Sequence, residues 1–340
     1  MVRDAQWRSL LVFGMDMGAN KTVNSGMALG IAAGLGAGAF WGMTFVAPLV
    51  VGGFSALDFT VGRFVACGLF SLAWLALVHG RSAWRGAPEA WPNGSQMLAA
   101  LGLSVLGYTG YYWLLVLAIE DAGAALPVLI IGTIPLWVML LGKPQALRWR
   151  HLLPGMVLTA LGMALMVHVT ASQGEWLSGQ GDWRRGVVFA VAAMVCWTAF
   201  TLLNGRWLKQ HPEVNSTVWA NWLGVAAGLG ALILWWVVGQ ATGGNDTGFS
   251  STPMWAREGW GLFVLVCAFT GIGSAWIAAV LWNMASRRLP ESLAGQLIVS
   301  ETVFGLLYAF VWSGQWPALQ QGLAAVLFVL GILASIRAHR

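Results

Sequence analysis

Long apolar runs separated by short polar breaks fill the chain from residue 27 onward. A helix that crosses the hydrocarbon core of a bilayer needs about 20 mostly apolar residues, and ten runs approach that length. The pattern therefore predicts an all-α integral membrane protein with ten transmembrane helices. The predicted spans are residues 27–49, 56–78, 97–119, 122–142, 152–170, 186–208, 214–238, 259–283, 291–311 and 318–336.

The basic residues between the runs predict the orientation of the chain. If both termini are cytoplasmic, 14 of the 18 Lys and Arg residues fall in inside segments, and three, Arg184, Arg185 and Arg257, fall in outside loops. Arg63 lies within the second span. Because short cytoplasmic loops carry an excess of Lys and Arg, this distribution supports ten spans and predicts a multi-pass protein of the cell inner membrane with cytoplasmic termini.

The second half of the chain repeats the first half weakly. A shift of 167 positions aligns Leu114 with Leu281 and Leu126 with Leu293, within a longer segment that is apolar in both halves. Duplication of a unit with an odd number of spans reverses its direction through the membrane. Equivalent loops of the two halves should therefore carry opposite charge.

The loops follow this reversal. Glu120 and Asp121 follow span three, whereas Arg287 and Arg288 follow span eight. The loop after span four is basic, and its counterpart at 313–317 carries no charge. The sequence therefore predicts two inverted five-helix repeats, an architecture typical of secondary transporters.

The predicted repeat divides the chain into five parts. An N-terminal arm at 1–26 and a C-terminal tail at 337–340 are expected to be cytoplasmic. The first repeat, 27–170, and the second repeat, 186–336, hold five spans each. The linker between them, 171–185, is expected to be periplasmic.

Composition excludes several classes of protein. Apolar residues make up 58% of the chain and charged residues 9%, whereas about a quarter of a soluble domain is charged. The net charge of +5 is spread thinly and forms no basic block that would bind nucleic acid. The three cysteines show no CxxC spacing, the five histidines are scattered, and no Walker A, HExxH or GxSxG motif occurs. We therefore expect no enzyme activity, no metal or other cofactor, and no built-in ATPase.

Five short motifs occur in a fixed order along the spans. They are Phe40-Trp41-Gly42-Met43-Thr44-Phe45, Gly62-Arg63-Phe64, Ile134-Pro135-Leu136, Leu281-Trp282-Asn283-Met284-Ala285 and Ser300-Glu301-Thr302-Val303-Phe304. In this order and spacing they resemble the drug/metabolite transporter superfamily, EamA-type branch, over about residues 27–336. Thr302 stands where the family often has proline, so the resemblance leaves open whether span nine is kinked as span four should be at Pro135.

The resemblance implies a secondary transporter that exports or exchanges small metabolites such as amino acids. It also implies a central cavity lined by spans one, three, four, six, eight and nine. Spans five and ten, whose cores contain Thr159 as their one polar residue, are expected at the periphery.

Two charged residues within spans are the candidate coupling groups. An ionisable side chain at that depth is costly unless it faces protein, water or a partner, so Glu301 in span nine is a candidate for coupling transport to protons. Its alternative role is to join span nine to a neighbouring helix. Arg63 in span two can snorkel to the outer headgroups, pair with Glu301 or attract an anionic substrate.

Aromatic and hydrogen-bonding side chains within the spans are the candidate substrate ligands. Trp and Tyr also form belts at membrane interfaces, and polar groups also join helices, so each candidate has a structural alternative. The candidate substrate-binding residues are Trp41, Tyr108, Tyr111, Thr133, Trp197, Trp282, Asn283, Gln296 and Ser300.

We therefore expect a secondary transporter of amino acids or amphipathic compounds that works by alternating access. Its partners would be the lipid bilayer, a small-molecule substrate and, if Glu301 titrates, protons, and it would act as a monomer or weak dimer. Two alternatives stay open, namely a structural or assembly protein that retains the transporter fold, and a channel. A transporter requires a closable cavity bordered by polar groups, whereas a scaffold would fill its centre with packed side chains.

Overall fold

The described part of the chain consists of helices joined by turns and short loops. The computed structural model describes residues 26–51, 54–84, 92–122, 125–142, 147–172, 182–241, 256–314, 316 and 318–339. The N-terminal arm before residue 26, Lys143 and most of the predicted linker lie outside these residues. Within them no strand occurs, and eight helices are long and apolar enough to cross a membrane. Two shorter apolar helices, Gly26–Gly42 and Ile130–Leu141, lie in the first and fourth predicted spans.

The helices of the described residues are numbered in chain order, and three of them consist of consecutive segments. They are α1 (Gly26–Gly42), α2 (Ala56–Trp84), α3 (Gly94–Ser104, Val105–Thr109 and Gly110–Ala122), α4 (Ala125–Gly132 and Ile134–Leu141), α5 (Trp149–Ser172), α6 (Trp183–Gln210), α7 (Ser216–Ala241), α8 (Trp260–Thr270, Gly271–Ile277 and Ala278–Arg288), α9 (Glu291–Ser313) and α10 (Leu319–Ala338).

The first and fourth predicted spans are interrupted. After α1, a 3₁₀ turn at Met43–Phe45 and a short helix at Ala47–Val50 continue the chain. α4 breaks at Thr133, two residues before Pro135, because proline has no N–H to donate to the preceding turn. α9 runs unbroken through Glu301 and Thr302, where no proline occurs.

α3 and α8 each contain a wide π turn in the middle of the membrane-spanning region. In α3 the turn covers Val105–Thr109, and in α8 it covers Gly271–Ile277. Such turns insert an extra residue into an α-helix and often occur at functional sites. Here the α3 turn includes Tyr108, one of the candidate substrate ligands.

Glycines let α2 and α7 approach until their backbones touch. A Cβ atom at Gly68 would lie 2.9 Å from the Gly228 Cα, and a Cβ atom at Gly228 would lie 3.0 Å from the Gly68 Cα. Because lipid is as apolar as a leucine side chain, close contact of this kind is a main source of helix association in membranes.

α5 and α10 pack in the same manner. A Cβ atom at Gly155 would lie 3.2 Å from the Gly331 carbonyl oxygen, and one at Gly331 would lie 3.2 Å from the Gly155 carbonyl oxygen. The two pairs therefore each rest on a reciprocal glycine contact.

In the part of the chain that the structure describes, three ion pairs lie at or near helix termini. Arg185, at the start of α6, donates to both carboxylate oxygens of Asp121 at 2.6 Å, and this holds the pKa of the Asp121 carboxyl below its usual range. Arg257 reaches Asp58 at 3.4 Å near the same end of the bundle, here called the Asp121 end. At the opposite end, the Glu291 end, Lys209 pairs with Glu291 at 3.1 Å.

The glycine contact between α2 and α7 predicts that alanine will destabilise the protein at Gly68 but not at Gly80. Gly68→Ala should lower the free energy of unfolding by about 1–3 kcal/mol, because backbone atoms of α7 cannot move aside as a flexible side chain can. Gly80→Ala is the matched control in the same helix, since a Cβ there would meet no heavy atom within 4 Å. Gly80→Ala should raise the free energy of unfolding by about 0.5–1 kcal/mol, because alanine has a better helix propensity than glycine.

The measurement is unfolding of the purified chain in mixed micelles, followed by circular dichroism. Equal midpoints for the two alanine variants would show that the close approach of α2 and α7 does not limit stability.

Candidate functional site

A cavity of about 600 Å³ lies inside the helix bundle. Its lining comes from α1 to α6 and from α8 to α10. Arg63 lies two turns after the start of α2, and Leu115 lies two turns before the end of α3. The cavity therefore extends from the middle of the bundle toward the Asp121 end.

Aromatic rings form one wall of the cavity. The ring centroid of Trp41 lies 5.9 Å from that of Trp197 and 5.3 Å from that of Trp282. Tyr111 continues the series, with its ring 5.1 Å from that of Trp197. Residues from α1, α3, α6 and α8 thus form one continuous aromatic surface. Tyr108 also lines the cavity, although only 8% of it is exposed.

Arg63 points inward and does not snorkel to the membrane surface. It is 6% exposed, and its Nη2 donates to the Tyr112 hydroxyl. Its Cζ lies 4.6 Å from the centroid of the Tyr112 ring and 4.8 Å from that of Phe64. Both rings therefore stabilise the guanidinium through their π electrons while it lines the cavity.

Glu301 faces the same cavity from α9 and is partly buried. Among the described residues, no ion pair joins its carboxylate to Arg63. The two charged residues of the lining are therefore both available to the contents of the cavity. The pairing of Glu301 with Arg63, one of the options from the sequence, is not what the structure contains.

Asn283 belongs to both the cavity lining and a buried hydrogen-bond network. Its Oδ1 accepts from Asn204 Nδ2 at 2.9 Å, and Asn204 Oδ1 accepts from Trp219 Nε1 at 2.8 Å. This network joins α6, α7 and α8 between the cavity and the Glu291 end. Asn283 is therefore positioned both to contact a ligand and to hold three helices together.

Three candidate ligands do not line the cavity. Thr133 donates to the Ile130 carbonyl at 2.6 Å, and Ser300 donates to the Leu297 carbonyl at 2.7 Å. Gln296 is fully buried, donates to Thr159 Oγ1 at 2.8 Å and accepts from Ser335 Oγ at 3.3 Å. Thr133 and Ser300 thus bond to carbonyls three residues earlier in the chain, and Gln296 bonds to two neighbouring helices.

The structure adds two helices that the sequence expectation left at the periphery. α5 contributes Thr159 and Met163 to the lining, and α10 contributes Phe328. α5 and α10 are the least buried of the eight long apolar helices in the described residues, which agrees with a peripheral position, but side chains of both also reach the cavity. Apolar residues that face a cavity and apolar residues that face lipid look alike in sequence, and the polar Thr159 within span five was the one available signal.

Comparison with known proteins identifies the family of this chain. The EamA-like transporter family matches the chain twice, over residues 28–168 and 184–337. The Inner membrane protein YtfF of Escherichia coli (strain K12) is 31% identical over 327 residues, which cover 92% of this chain and 96% of that protein. A solved crystal structure at 19% identity has the same fold, with a TM-score of 0.67 over 93% of this chain and 98% of its own. The chain therefore belongs to the EamA-like transporter family of the drug/metabolite transporter superfamily.

Proposed function

We propose that this chain is an inner-membrane secondary transporter that exports or exchanges small metabolites by alternating access. The observation that carries the proposal is the central cavity, because both halves of the chain line it and because Arg63 and Glu301 face it. A scaffold that merely kept the fold would have packed side chains at this point. Amino acids and amphipathic compounds both suit an aromatic wall beside two charged groups.

The proposed architecture is a pair of inverted five-helix repeats, 27–170 and 186–336. The two π turns begin 166 residues apart, at Val105 and Gly271, close to the shift of 167 that aligns the two halves. The same shift of 167 relates Thr133 to Ser300, whose hydroxyls both donate to the carbonyl three residues earlier. Local features that recur at the spacing of the repeat support a duplication.

The glycine contacts supply a second line of support. A Cβ at Gly68 would meet the Gly224 carbonyl oxygen at 3.2 Å, and a Cβ at Gly228 would meet the Phe64 carbonyl oxygen at the same distance. Each glycine thus faces the residue four positions before its partner. Such reciprocity is what an interface between elements related by a two-fold axis requires.

The proposed orientation places the Glu291 end in the cytoplasm. Arg287 donates to the carbonyls of the α6–α7 loop, at 3.3 Å to His211 and also to Val214. Together with the Asn204–Asn283 contact and the Lys209–Glu291 ion pair, these bonds support a conformation closed toward the cytoplasm. Alternating access would require them to separate when the cavity opens to that side.

Glu301 is the proposed coupling group. A carboxylate that binds a proton becomes neutral and can then face apolar surroundings at much lower cost. Its position in the cavity lets it meet substrate and protons in the same space. In proton-coupled transport, the proton and the substrate would then either compete for Glu301 or bind there together.

The coupling role predicts the behaviour of Glu301→Gln. The amide resembles the protonated acid in size, so the variant should lose gradient-driven export of the substrate down to the level of cells without the chain, yet retain exchange of the same substrate. The substrate is first identified as the metabolite that accumulates in the medium of expressing cells. Both fluxes are then measured in membrane vesicles with an imposed pH gradient.

Glu258→Gln is the matched control, because Glu258 is exposed at the start of α8 and lies outside the cavity. Wild-type export that does not respond to the pH gradient would remove proton coupling. Loss of folded Glu301→Gln protein would instead favour a structural role for Glu301.

The proposed conformation also predicts the side from which water reaches the cavity. In a chain whose native cysteines are replaced, Thr302→Cys and Ala275→Cys should react with a membrane-impermeant thiol reagent added from the periplasmic side. Both residues line the cavity, whereas Ala227, packed in α7 with 0% exposure, is the matched control. Equal labelling of all three cysteines would contradict the cavity, and labelling from the cytoplasmic side alone would contradict the orientation.

A further inference from the structure

The described residues supply a hydrogen-bond acceptor for only part of the Arg63 guanidinium. Nη2 donates to the Tyr112 hydroxyl, but Nε is buried and has no hydrogen-bond partner among the described residues. A guanidinium offers five N–H donors, and a buried donor without an acceptor carries a penalty. The side chain is more than nine-tenths buried and lines the cavity, so an anion in the cavity would meet the guanidinium.

Among the described residues no carboxylate lies within ion-pair distance of Arg63, although the charges of Arg63 and Glu301 interact. Asp58, less than two turns before it in α2, pairs with Arg257 instead at 3.4 Å. Within the described part of the chain, Glu301 makes no ion pair with Arg63 either. A buried cation is expensive to leave unpaired, and an anion that enters the cavity would remove this cost.

The aromatic wall of the cavity suits a flat apolar body. Trp41, Trp197, Trp282 and Tyr111 are adjoining aromatic rings, and offset or edge-to-face contact with such rings favours aromatic ligands. Trp282 Nε1 is a second buried donor without a partner in the described residues. The lining thus has unused hydrogen-bond donors next to an aromatic wall.

We propose that the cavity binds a carboxylate-bearing molecule with a flat, apolar body, and that Arg63 binds the carboxylate. This inference rests on the proposed function and names the substrate class of the same site. Glu301, the other charged group of the lining, would then be protonated beside a simple acid or would face the ammonium group of a zwitterion. The tyrosine hydroxyls of α3 complete the titratable groups of the lining.

The test compares probes that share one aromatic body. Phenylacetate, phenylacetamide and phenethylamine carry a carboxylate, a neutral amide and an ammonium group on the same ring. Their binding to the purified full chain in lipid nanodiscs is measured by calorimetry near neutral pH. A charge-assisted bond from Arg63 should make phenylacetate bind about ten- to a hundredfold more tightly than the other two probes.

Variants assign that preference to Arg63. Arg63→Gln should lose the preference for phenylacetate over phenylacetamide, whereas Arg63→Lys should keep part of it, since lysine keeps the charge but not the planar fork of donors. Arg184→Gln is the matched control, because Arg184 is exposed at the start of α6 and should not affect the three affinities. The ranking of the probes on the unmodified chain is informative even if Arg63→Gln does not fold.

Phenylalanine separates the two forms of carboxylate ligand. Binding tighter than that of phenylacetate would assign the ammonium group to Glu301, and Glu301→Gln should then remove the gain. Binding no tighter than that of phenylacetate would mean that the carboxylate and the ring suffice. In both cases Arg63 still binds the carboxylate.

The proposal is overturned if phenylacetamide binds as well as phenylacetate, if phenethylamine binds most tightly, or if phenylacetate does not bind at millimolar concentration. Failure here is distinguishable from failure of the proposed function. Gradient-driven export without phenylacetate binding would support the transporter function and contradict the proposed substrate class. Phenylacetate binding in a chain that exports nothing would support the binding site and contradict transport by alternating access.

Discussion

A bilayer offers no hydrogen bonds, and this constraint explains the position of the buried amide side chains of the bundle. Gln296 reaches Thr159 and Ser335 on two other helices, and Asn204 links Asn283 to Trp219. Apolar contact alone would not hold these helices in one register, because lipid offers the same contact to every face. Buried amides and hydroxyls therefore give the bundle its specificity, while the outer surface consists of exposed leucine, valine and tryptophan.

The same constraint makes the cavity unusual within the molecule. Elsewhere in the described residues, charged groups that are withdrawn from water have ion-pair partners near helix termini, as Asp58 and Asp121 do. Arg63 and Glu301 lie deeper, and Arg63 is surrounded by aromatic rings and a tyrosine hydroxyl. Two charged groups at this depth lower the stability of the fold, and helix packing requires neither of them. The cost is understandable when both groups serve what enters the cavity.

The sequence predicted the helices well because their length and hydropathy are dictated by the thickness of the bilayer. It identified Arg63, Glu301 and a set of aromatic residues as separate candidates, only some of them within family motifs, and the structure places them on one cavity. The role of Gln296 could not be predicted in this way. Its spacing of four from Ser300 gives it a face of α9, but the partner on that face, Thr159, comes from a helix 137 residues away.

The π turns of α3 and α8 were equally hidden. One extra residue in an apolar run changes no hydropathy average, yet it rotates all later side chains of the helix relative to the earlier ones. Tyr111 and Tyr112 follow the turn in α3, so their direction depends on it. Met163 and Phe328 were missed for a different reason, because a thioether or a phenyl ring carries no mark of whether it faces lipid or a ligand.

The glycine crossings of α2 with α7 and of α5 with α10 have a mechanical consequence. Backbones already in contact cannot move closer, and separating them would expose polar peptide groups and forfeit dispersion contacts over the tightest part of the interface. If the two halves move as bodies, each crossing therefore acts as a fulcrum. Widening the bundle on one side of a fulcrum narrows it on the other. A rocking motion about these points would thus link the opening of one entrance to the closing of the opposite one, without any separate gate to enforce the order.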